Sequence, residues 1–385
     1  MHTTDDNLYA LLERLPRSTS SRPQSGFAAA SAVARAHSSL IDEIFKCLKN
    51  HQDLSYEGQL FFDIGQLHIH PYTGAISLAA YAVSQGPSRA INWYRGVINT
   101  ESARIRHAGL ISGLMVKEKL DFSNGVSILP FEQAGDSPQV TTFRSLSMAH
   151  PLQNVLGTHF NALAFKEIRH DRTEKVPKQP INHGVISAIE DVLIGCILNK
   201  GLAPALTVNW TEFLDPELQA AEASWGTAGF PQEAPVSSGR VLQSNDLPNI
   251  ELFLAMMPAL KEKMRVALSR VGLARRKHTC ANKAIEYSIA LEALLSDGNT
   301  EMTHKIATRA AIILGESYEE RAQYRKLIKN LYKVRSRAVH GEDVSKDNDF
   351  DIIEESEDAI SNLLLVAAKR GKEFDFDQID LNGEV

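Results

Sequence analysis

The sequence has few cysteines and no long apolar segment. Its three cysteines, Cys47, Cys196 and Cys280, are widely separated and odd in number, which argues against a disulfide framework and favours a reducing, cytoplasmic setting. No run of about 18 apolar residues is present, so we expect no transmembrane helix and no membrane partner. The N-terminal residues include early acidic side chains and lack an apolar core of signal-peptide length, so we expect no secretory signal.

Several motifs that mark nucleotide-binding, hydrolytic or metal sites are also missing. The chain contains no Walker loop, no Gly-x-Gly-x-x-Gly fingerprint and no nucleophile elbow. His68 and His70 alternate on a predicted strand, but no third ligand lies nearby in the sequence, so we predict no metal site there. Arg144 and His150 are spaced as Arg-x5-His outside any helical framework and are interpreted as a coincidence. We therefore expect no metal and no other cofactor.

The charge is distributed unevenly along the 385 residues. A net charge of −6 argues weakly against a general nucleic-acid binder. One basic block nevertheless precedes an acidic stretch that begins at Glu342, and it contains Lys326, Lys329, Lys333, Arg335 and Arg337. A local basic groove on an acidic protein is compatible with RNA binding, and the alternative is that these charges are solvated helix faces.

The first two thirds of the chain read as an α+β region with a small antiparallel sheet. Apolar spacing predicts helices at 28–48 and 185–198 and a strand at 207–213. Two apolar runs within 111–131 flank Ser-Asn-Gly at 123–125, which predicts a β-hairpin. The fold of this region cannot be named from its pattern.

Composition divides the chain into four parts. We predict an N-terminal α+β domain over 1–225, with a possible sensory or regulatory role. An Ala-, Gly-, Pro- and Ser-rich linker over 226–246 follows, then an all-helical domain over 247–372 and an acidic C-terminal tail over 373–385. Within the helical domain, apolar periodicity predicts helices at 248–271, 277–295, 301–314, 317–341 and 350–370.

The helix predicted at 317–341 contains the candidate site. Ser317 followed by Glu320 is a capping-box start, and Gly341 favours a helix stop. One apolar stripe is predicted to face the core, and it consists of Tyr324, Leu327, Leu331, Val334 and Ala338.

Arg335 and His340 near the end of this helix form an Arg-x4-His pair. On an ideal helix they project about 140° apart, so they meet only if the long arginine swings round, the last turn is irregular, or a second copy of the helix lies opposite. A neutral histidine can take a proton from a ribose 2′-hydroxyl, while a guanidinium holds the phosphate. The structural alternative is a chance match whose basic residues complement the helix macrodipole.

Together with the helices before it, this segment resembles the HEPN superfamily, and most of all the ApeA-like HEPN domains of bacterial defence proteins. The resemblance is carried by ALEALL at 290–295, EMTHKIATRAAIIL at 301–314 and LYKVRSRAVHG at 331–341. It implies an all-helical bundle and a homodimer in which two motifs form one composite site. It also implies a metal-independent endoribonuclease in antiphage defence (abortive infection) or a stress response. Glu342 stands where antitoxin-paired relatives often carry tyrosine, so their mode of regulation is not carried over.

The resemblance also implies roles for individual residues. His340 would act as general base and acid, Arg335 would clamp the phosphate, and Ser336 would help to position it. RNA contacts are predicted for Arg337, Lys333 and Lys329 in the surrounding basic block. In the relatives a variable N-terminal region precedes the HEPN domain, which implies a sensor, here with a possible phage-derived trigger.

Glu292 lies in an otherwise aliphatic helical stretch, where a carboxylate needs a partner. We interpret it as a supporting residue that either ties two helices together through Lys305, Arg309 or Arg335, or orients Arg335.

The alternative function for the whole region is a non-catalytic HEPN module for dimerisation or partner binding, with ligand recognition in the N-terminal domain.

Overall fold

The computed structural model describes residues 4–17, 26–55, 60–62, 68–69, 71–148, 161–173, 182–221, 227–228, 240–298 and 302–383. The described part of the N-terminal region consists of helices, an antiparallel sheet and a short two-stranded parallel pair, and the described elements after residue 242 are helical. The predicted mixed α+β class is therefore confirmed.

Most of the described residues before residue 100 are helical, and their helices are α1 (Thr4–Glu13), α2 (Gly26–Ala36), α3 (Ser38–Lys49), α4 (Pro71–Gln85) and α5 (Pro87–Ile98). They pack around one apolar cluster together with the start of the sheet. The single helix predicted at 28–48 is wrong, because His37 leaves helical geometry (φ −136°, ψ 38°) and separates α2 from α3. The two serines that follow it favour helix starts over helix interiors, which explains the break.

The sheet has three long antiparallel strands at its centre, in the order β7, β3, β8. The strands in chain order are β1 (Leu60–Phe62), β2 (His68–Ile69), β3 (Ser102–Ser112), β4 (Leu114–Met115), β5 (Leu120–Asp121), β6 (Val126–Pro130), β7 (Ala162–Thr173), β8 (Ala205–Phe213), β9 (Thr227–Ala228) and β10 (Arg240–Val241). The other edge of β7 pairs with two strands, with β6 along its first half and with β1 at its end. β10 forms a short parallel pair with β4.

The predicted hairpin turn at 123–125 is confirmed, although its first strand is shorter than expected. The backbone N–H of Phe122 donates to Val126 O (2.9 Å), and Gly125 has φ +81°, a conformation that favours glycine. The paired strands are β5 and β6, whereas Ile111 belongs to β3.

Between the later strands the structure describes the helices α6 (Pro138–Met148), α7 (Asn182–Cys196) and α8 (Pro216–Ala221). The predictions of a helix at 185–198 and a strand at 207–213 are confirmed by α7 and β8. Apolar side chains of α7 pack on one face of the sheet, while Trp210 and Phe143 lie in a smaller cluster on the other face.

Seven helices follow: α9 (Leu247–Leu254), α10 (Pro258–Arg276), α11 (Cys280–Leu295), α12 (Met302–Leu314), α13 (Tyr318–Val339), α14 (Asp347–Arg370) and α15 (Phe376–Asn382). The predicted helix at 248–271 is interrupted, because Met257 is extended and Pro258 starts α10 at a position that tolerates proline. The other four predicted helices are confirmed within a few residues at each end.

Part of the segment predicted as an acidic tail is a docked helix. Ile379 of α15 is buried, and Asp380 accepts hydrogen bonds from the fully buried Arg309 of α12 at 2.9 and 2.6 Å. Arg309 also pairs with Asp297 (2.6 Å) and lies over the ring of Phe376 (4.0 Å). The sequence pattern did not reveal this helix, because its acidic residues resemble those of a solvated tail.

Arg275 of α10 joins the helical region to the sheet region. Its Nη1 donates to three backbone carbonyls just after α7, those of Ile197 (2.8 Å), Asn199 (3.0 Å) and Leu202 (2.8 Å). Its Nε pairs with Glu357 of α14 at 3.0 Å. One arginine therefore satisfies carbonyls left over at the end of α7 and holds two regions together.

Candidate functional site

The start of α13 has the predicted capping box. Ser317 Oγ accepts the N–H of Glu320 (3.1 Å), and Glu320 Oε2 accepts the N–H of Ser317 (3.3 Å). At the other end His340 is the C-cap and Gly341 has φ +76°. These contacts set the ends of the helix at the positions expected from its sequence.

The buried face of α13 is rotated slightly from the predicted stripe. Leu331 and Val334 are buried as expected, whereas Tyr324, Leu327 and Ala338 are partly exposed. Their place in the core is taken by two other residues, Ile328 and Tyr332.

Arg335 belongs to a three-residue cluster on this inner side. Its Nη1 lies 3.7 Å from Glu292 Oε1, and its guanidinium carbon lies 5.8 Å from the centre of the Tyr332 ring. The Tyr332 hydroxyl donates to Glu292 Oε1 at 3.3 Å. Burial, together with the charge of Glu292, raises the pKa of Tyr332, so its hydroxyl stays a donor.

The cluster identifies the partner of Glu292. Of the three cations considered for it, Arg335 makes the ion pair, while Lys305 and Arg309 both pair with Asp297. The Arg335 side chain remains 37% exposed, and its Nε is buried without a hydrogen-bond partner among the described residues. A carboxylate and a tyrosine thus hold a cation that is still open to an anion.

The last turn of α13 is regular as far as His340. The N–H of His340 donates to Ser336 O at 3.1 Å, as in an uninterrupted α-helix. The directions of Arg335 and His340 therefore differ by about 140°, as on an ideal helix. Arg335 lies on the side of Tyr332, and His340 is exposed on the other side. Within the described residues no hydrogen bond joins the two side chains.

His340 lies instead on a polar row that we call the outer stripe, defined as Lys329, Lys333, Ser336 and His340. At 100° per residue these four positions fall within about 60° of one another. Lys333, Ser336 and His340 are exposed, and Lys329 is half-buried. The outer stripe brings together a hydroxyl, an imidazole and two ammonium groups along about three turns of helix.

Arg337 is used inside the protein rather than on the outer stripe. Its Nη1 lies 2.8 Å from Asp349 Oδ1, and the Asp349 carboxylate is almost fully buried. Arg337 also donates to the Asp343 carbonyl and lies 3.7 Å from Glu342. Because the guanidinium neutralises a buried carboxylate, Arg337 fits a structural role better than the predicted RNA contact. Asp349 was missed because nothing in its sequence separates it from the acidic residues around it.

The remaining sequence candidates do not form a second site within the described residues. Arg144 pairs with Asp136 at 2.7 Å, while His150 and His70 lie outside the described residues. No group of three or more His, Cys, Asp or Glu with metal-binding geometry occurs in the ranges that the structure describes. None of the described helices is both long and apolar enough to span a bilayer.

Comparison with family models, curated proteins and solved structures finds no match to this chain. The resemblance to HEPN domains therefore stays a prediction that rests on the residues quoted above.

Proposed function

We propose that the protein is a metal-independent endoribonuclease of the HEPN type that acts as a homodimer in the cytoplasm, in antiphage defence or a stress response. The observation that carries the proposal is the pairing of two surfaces at one end of α13. One surface is the anchored but open Arg335, and the other is the outer stripe with His340 and Ser336.

In the proposed reaction a ribose 2′-oxygen attacks the adjacent phosphorus. His340 removes the 2′-hydroxyl proton as the O2′–P bond forms, and the P–O5′ bond breaks. The imidazolium then returns the proton to the leaving 5′-oxygen. The products are a 2′,3′-cyclic phosphate and a 5′-hydroxyl end. Arg335 stabilises the charge on the non-bridging oxygens, and Ser336 donates to one of them.

The opposed directions of Arg335 and His340 support a site shared by two protomers. A dimer of this kind is two-fold symmetric, so the end of one α13 can face the end of its copy. His340 of one chain would then meet Arg335 of the other across the interface. The lysines of the outer stripe would line the path of the RNA backbone.

The first experiment is RNA cleavage in EDTA by the wild type and by His340→Ala, with end-group analysis of the products. His278→Ala is the matched control, because His278 is also an exposed histidine in the helical region. We expect cyclic-phosphate ends from the wild type and the control, and none from His340→Ala. Cleavage that persists in His340→Ala, or that EDTA abolishes, would contradict the mechanism.

A second experiment asks whether the site is shared. Arg335→Ala and His340→Ala proteins are each expected to be inactive, but unfolding and refolding them together allows mixed dimers. Half of the dimers are then mixed, and each keeps one of its two symmetry-related Arg335–His340 pairs, so about one quarter of the wild-type activity should return. A mixture that stays inactive, while a co-refolded wild type recovers, would refute a site in which arginine and histidine come from different protomers.

The second candidate function is a non-catalytic module for dimerisation or partner binding. It is favoured by the apolar side chains next to the motif, since Val339 is 63% and Phe350 49% exposed. Under this alternative, a sedimentation experiment should find a dimer for the wild type and only monomers for Val339→Ser and Phe350→Ser. The wild type would produce no cyclic-phosphate ends on any RNA.

A further inference from the structure

A cleft of about 540 Å³ lies in the N-terminal region, far along the chain from the motif helix. It opens where the C-terminal half of α5 and the start of α8 meet the first residues of β3. We call it the sheet-end cleft, and its lining includes Trp93, Gly96, Arg104, Arg169, Asp215 and Glu217. Its volume falls within the range of pockets that hold small molecules.

Two arginines face each other at the cleft. Arg104 of β3 and Arg169 of β7 are register partners in the antiparallel ladder. Side chains at such positions point to the same side of the sheet, with Cβ atoms about 4.5–5.5 Å apart. Like charges in this position destabilise a sheet, and Asp215 offsets the charge of Arg104 only, since within the described residues no carboxylate pairs with Arg169. A bound anion would neutralise this second arginine.

Both arginines are oriented by their neighbours without being enclosed. Arg169 donates from Nε (3.1 Å) and Nη2 (2.8 Å) to Ser102 Oγ, which is a neutral acceptor. Arg104 donates from Nε to Asp215 Oδ1 (3.0 Å) and is 63% exposed. The backbone N–H of Arg104 donates to the other oxygen of Asp215 at 2.8 Å. The guanidinium groups are thereby preorganised for two-point contact with an anion.

The rest of the cleft differs from a simple anion site because part of its lining is apolar. Val97, Ala103 and Leu218 are buried core residues that line it. Trp93 stacks one ring face on Tyr81 and donates its Nε1–H to the Glu217 carbonyl at 3.0 Å, so its polar atom is already used.

The cleft has open space beside Gly96 of α5. A Cβ built on Gly96 would meet no atom within 4 Å, so this glycine leaves room on the helix side. Asp215, beside Arg104, and Glu217 also line the cleft, and carboxylates can accept hydrogen bonds from hydroxyl or amino groups.

We infer that the sheet-end cleft binds a nucleoside phosphate. The phosphate would lie between Arg104 and Arg169, the flat base would lie on the apolar part beside Trp93, and ribose hydroxyls would donate to Asp215 and Glu217. Inorganic phosphate satisfies only the first of these contacts, and a nucleoside satisfies only the other two. The inference does not depend on the proposed ribonuclease activity.

Isothermal titration of the full chain with AMP, inorganic phosphate and adenosine tests this inference. We expect AMP to bind at least tenfold more tightly than either of the others, because only AMP uses the whole cleft. Arg169→Gln should weaken AMP binding about tenfold or more, the usual effect of losing a charge-assisted contact. Arg89→Gln is the control, since Arg89 is an exposed arginine on α5 that does not line the cleft.

Gly96→Leu provides a second variant that keeps every charge. The position is helical, so leucine is compatible with the backbone and would occupy the open space. AMP binding should fall at least tenfold in this variant, with an unchanged circular dichroism spectrum. AMP affinity unchanged in both Arg169→Gln and Gly96→Leu, no binding of AMP at millimolar concentration, or phosphate binding as tightly as AMP would each overturn the inference.

Discussion

His107 provides the clearest prediction about stability and pH. The residue lies in the middle of β3 and is only 2% exposed. Its Nδ1 lies 2.9 Å from Thr211 Oγ1, while its Nε2 is buried without a hydrogen-bond partner among the described residues. Burial, with a smaller contribution from the nearby His170, lowers the pKa of His107 from 6.5 to about 4.

The pKa difference sets the size and the sign of the effect. Below pH 6.5 the unfolded chain takes up a proton at His107, whereas the folded protein does so only near pH 4. The contribution of the neutral His107 side chain to the free energy of unfolding is therefore complete above pH 6.5 and is lost as the pH falls to 4. Since one pKa unit corresponds to about 1.4 kcal/mol, the loss in the free energy of unfolding is about 3 kcal/mol.

Urea unfolding at several pH values between 7.5 and 4, followed by tryptophan fluorescence, measures this loss. His107→Gln has no imidazole to titrate, so its stability should fall by about 3 kcal/mol less than that of the wild type over the same range. Burial raises the pKa of the Glu212 carboxyl, so its titration stabilises the folded protein as the pH falls. This effect is present in the wild type and in His107→Gln, so it does not change the difference between them. The exposed His278→Gln should follow the wild-type profile. Parallel profiles for the wild type and His107→Gln would refute the reasoning.

Three further predictions concern packing and the candidate site. Arg309→Leu removes the cation that pairs with Asp380 and leaves Asp297 with Lys305 at 3.7 Å, so the free energy of unfolding should fall by about 2–4 kcal/mol and α15 should become protease-sensitive. Resistance equal to the wild type would contradict this. Glu292→Gln removes a part-exposed ion pair, so stability should change by less than about 1 kcal/mol while RNA cleavage falls about tenfold; full activity would exclude a positioning role. Gly109→Ala places a Cβ against a methyl group of Leu206 and 3.2 Å from the carbonyl oxygen of Val208, so it should destabilise by about 1–3 kcal/mol in urea unfolding. Gly96→Ala points into open space and should not destabilise; equal effects would contradict the contact geometry.

Local patterns in the sequence predicted elements well where one short-range interaction dominates. The capping box at Ser317, the Asn-Gly turn at 124–125 and the helix stop at Gly341 all depend on residues within a few positions of each other. The split of one predicted helix into α2 and α3 was missed, because apolar spacing on both sides of His37 fits a single helix.

The candidate site shows the same division between local and distant causes. The 140° separation of Arg335 and His340 follows from helix geometry alone and is present in the structure. The need of Glu292 for a partner was evident from its apolar surroundings, but three cations fitted equally well until the packing of α11 on α13 selected Arg335. The pairing of Arg337 with Asp349 joins two helices across a loop, and neither residue is distinctive in a strongly charged stretch.

The contacts of α7 and Arg275 between the sheet region and the C-terminal helices determine whether the chain can be divided into two separate domains. Ile189 and Val192 of α7 pack on the sheet, while Ile197 just beyond it packs in the core of the C-terminal helices. Dividing the chain at 226–246 would remove Ile197 from the surface of α10. Ile197 packs closely there, since a Cβ placed on Gly272 would lie 2.7 Å from its methyl carbon. A cut ahead of α7 would instead remove the sheet from its other face. Apolar surface is exposed in either case, so we expect the two regions to unfold together even though their compositions differ.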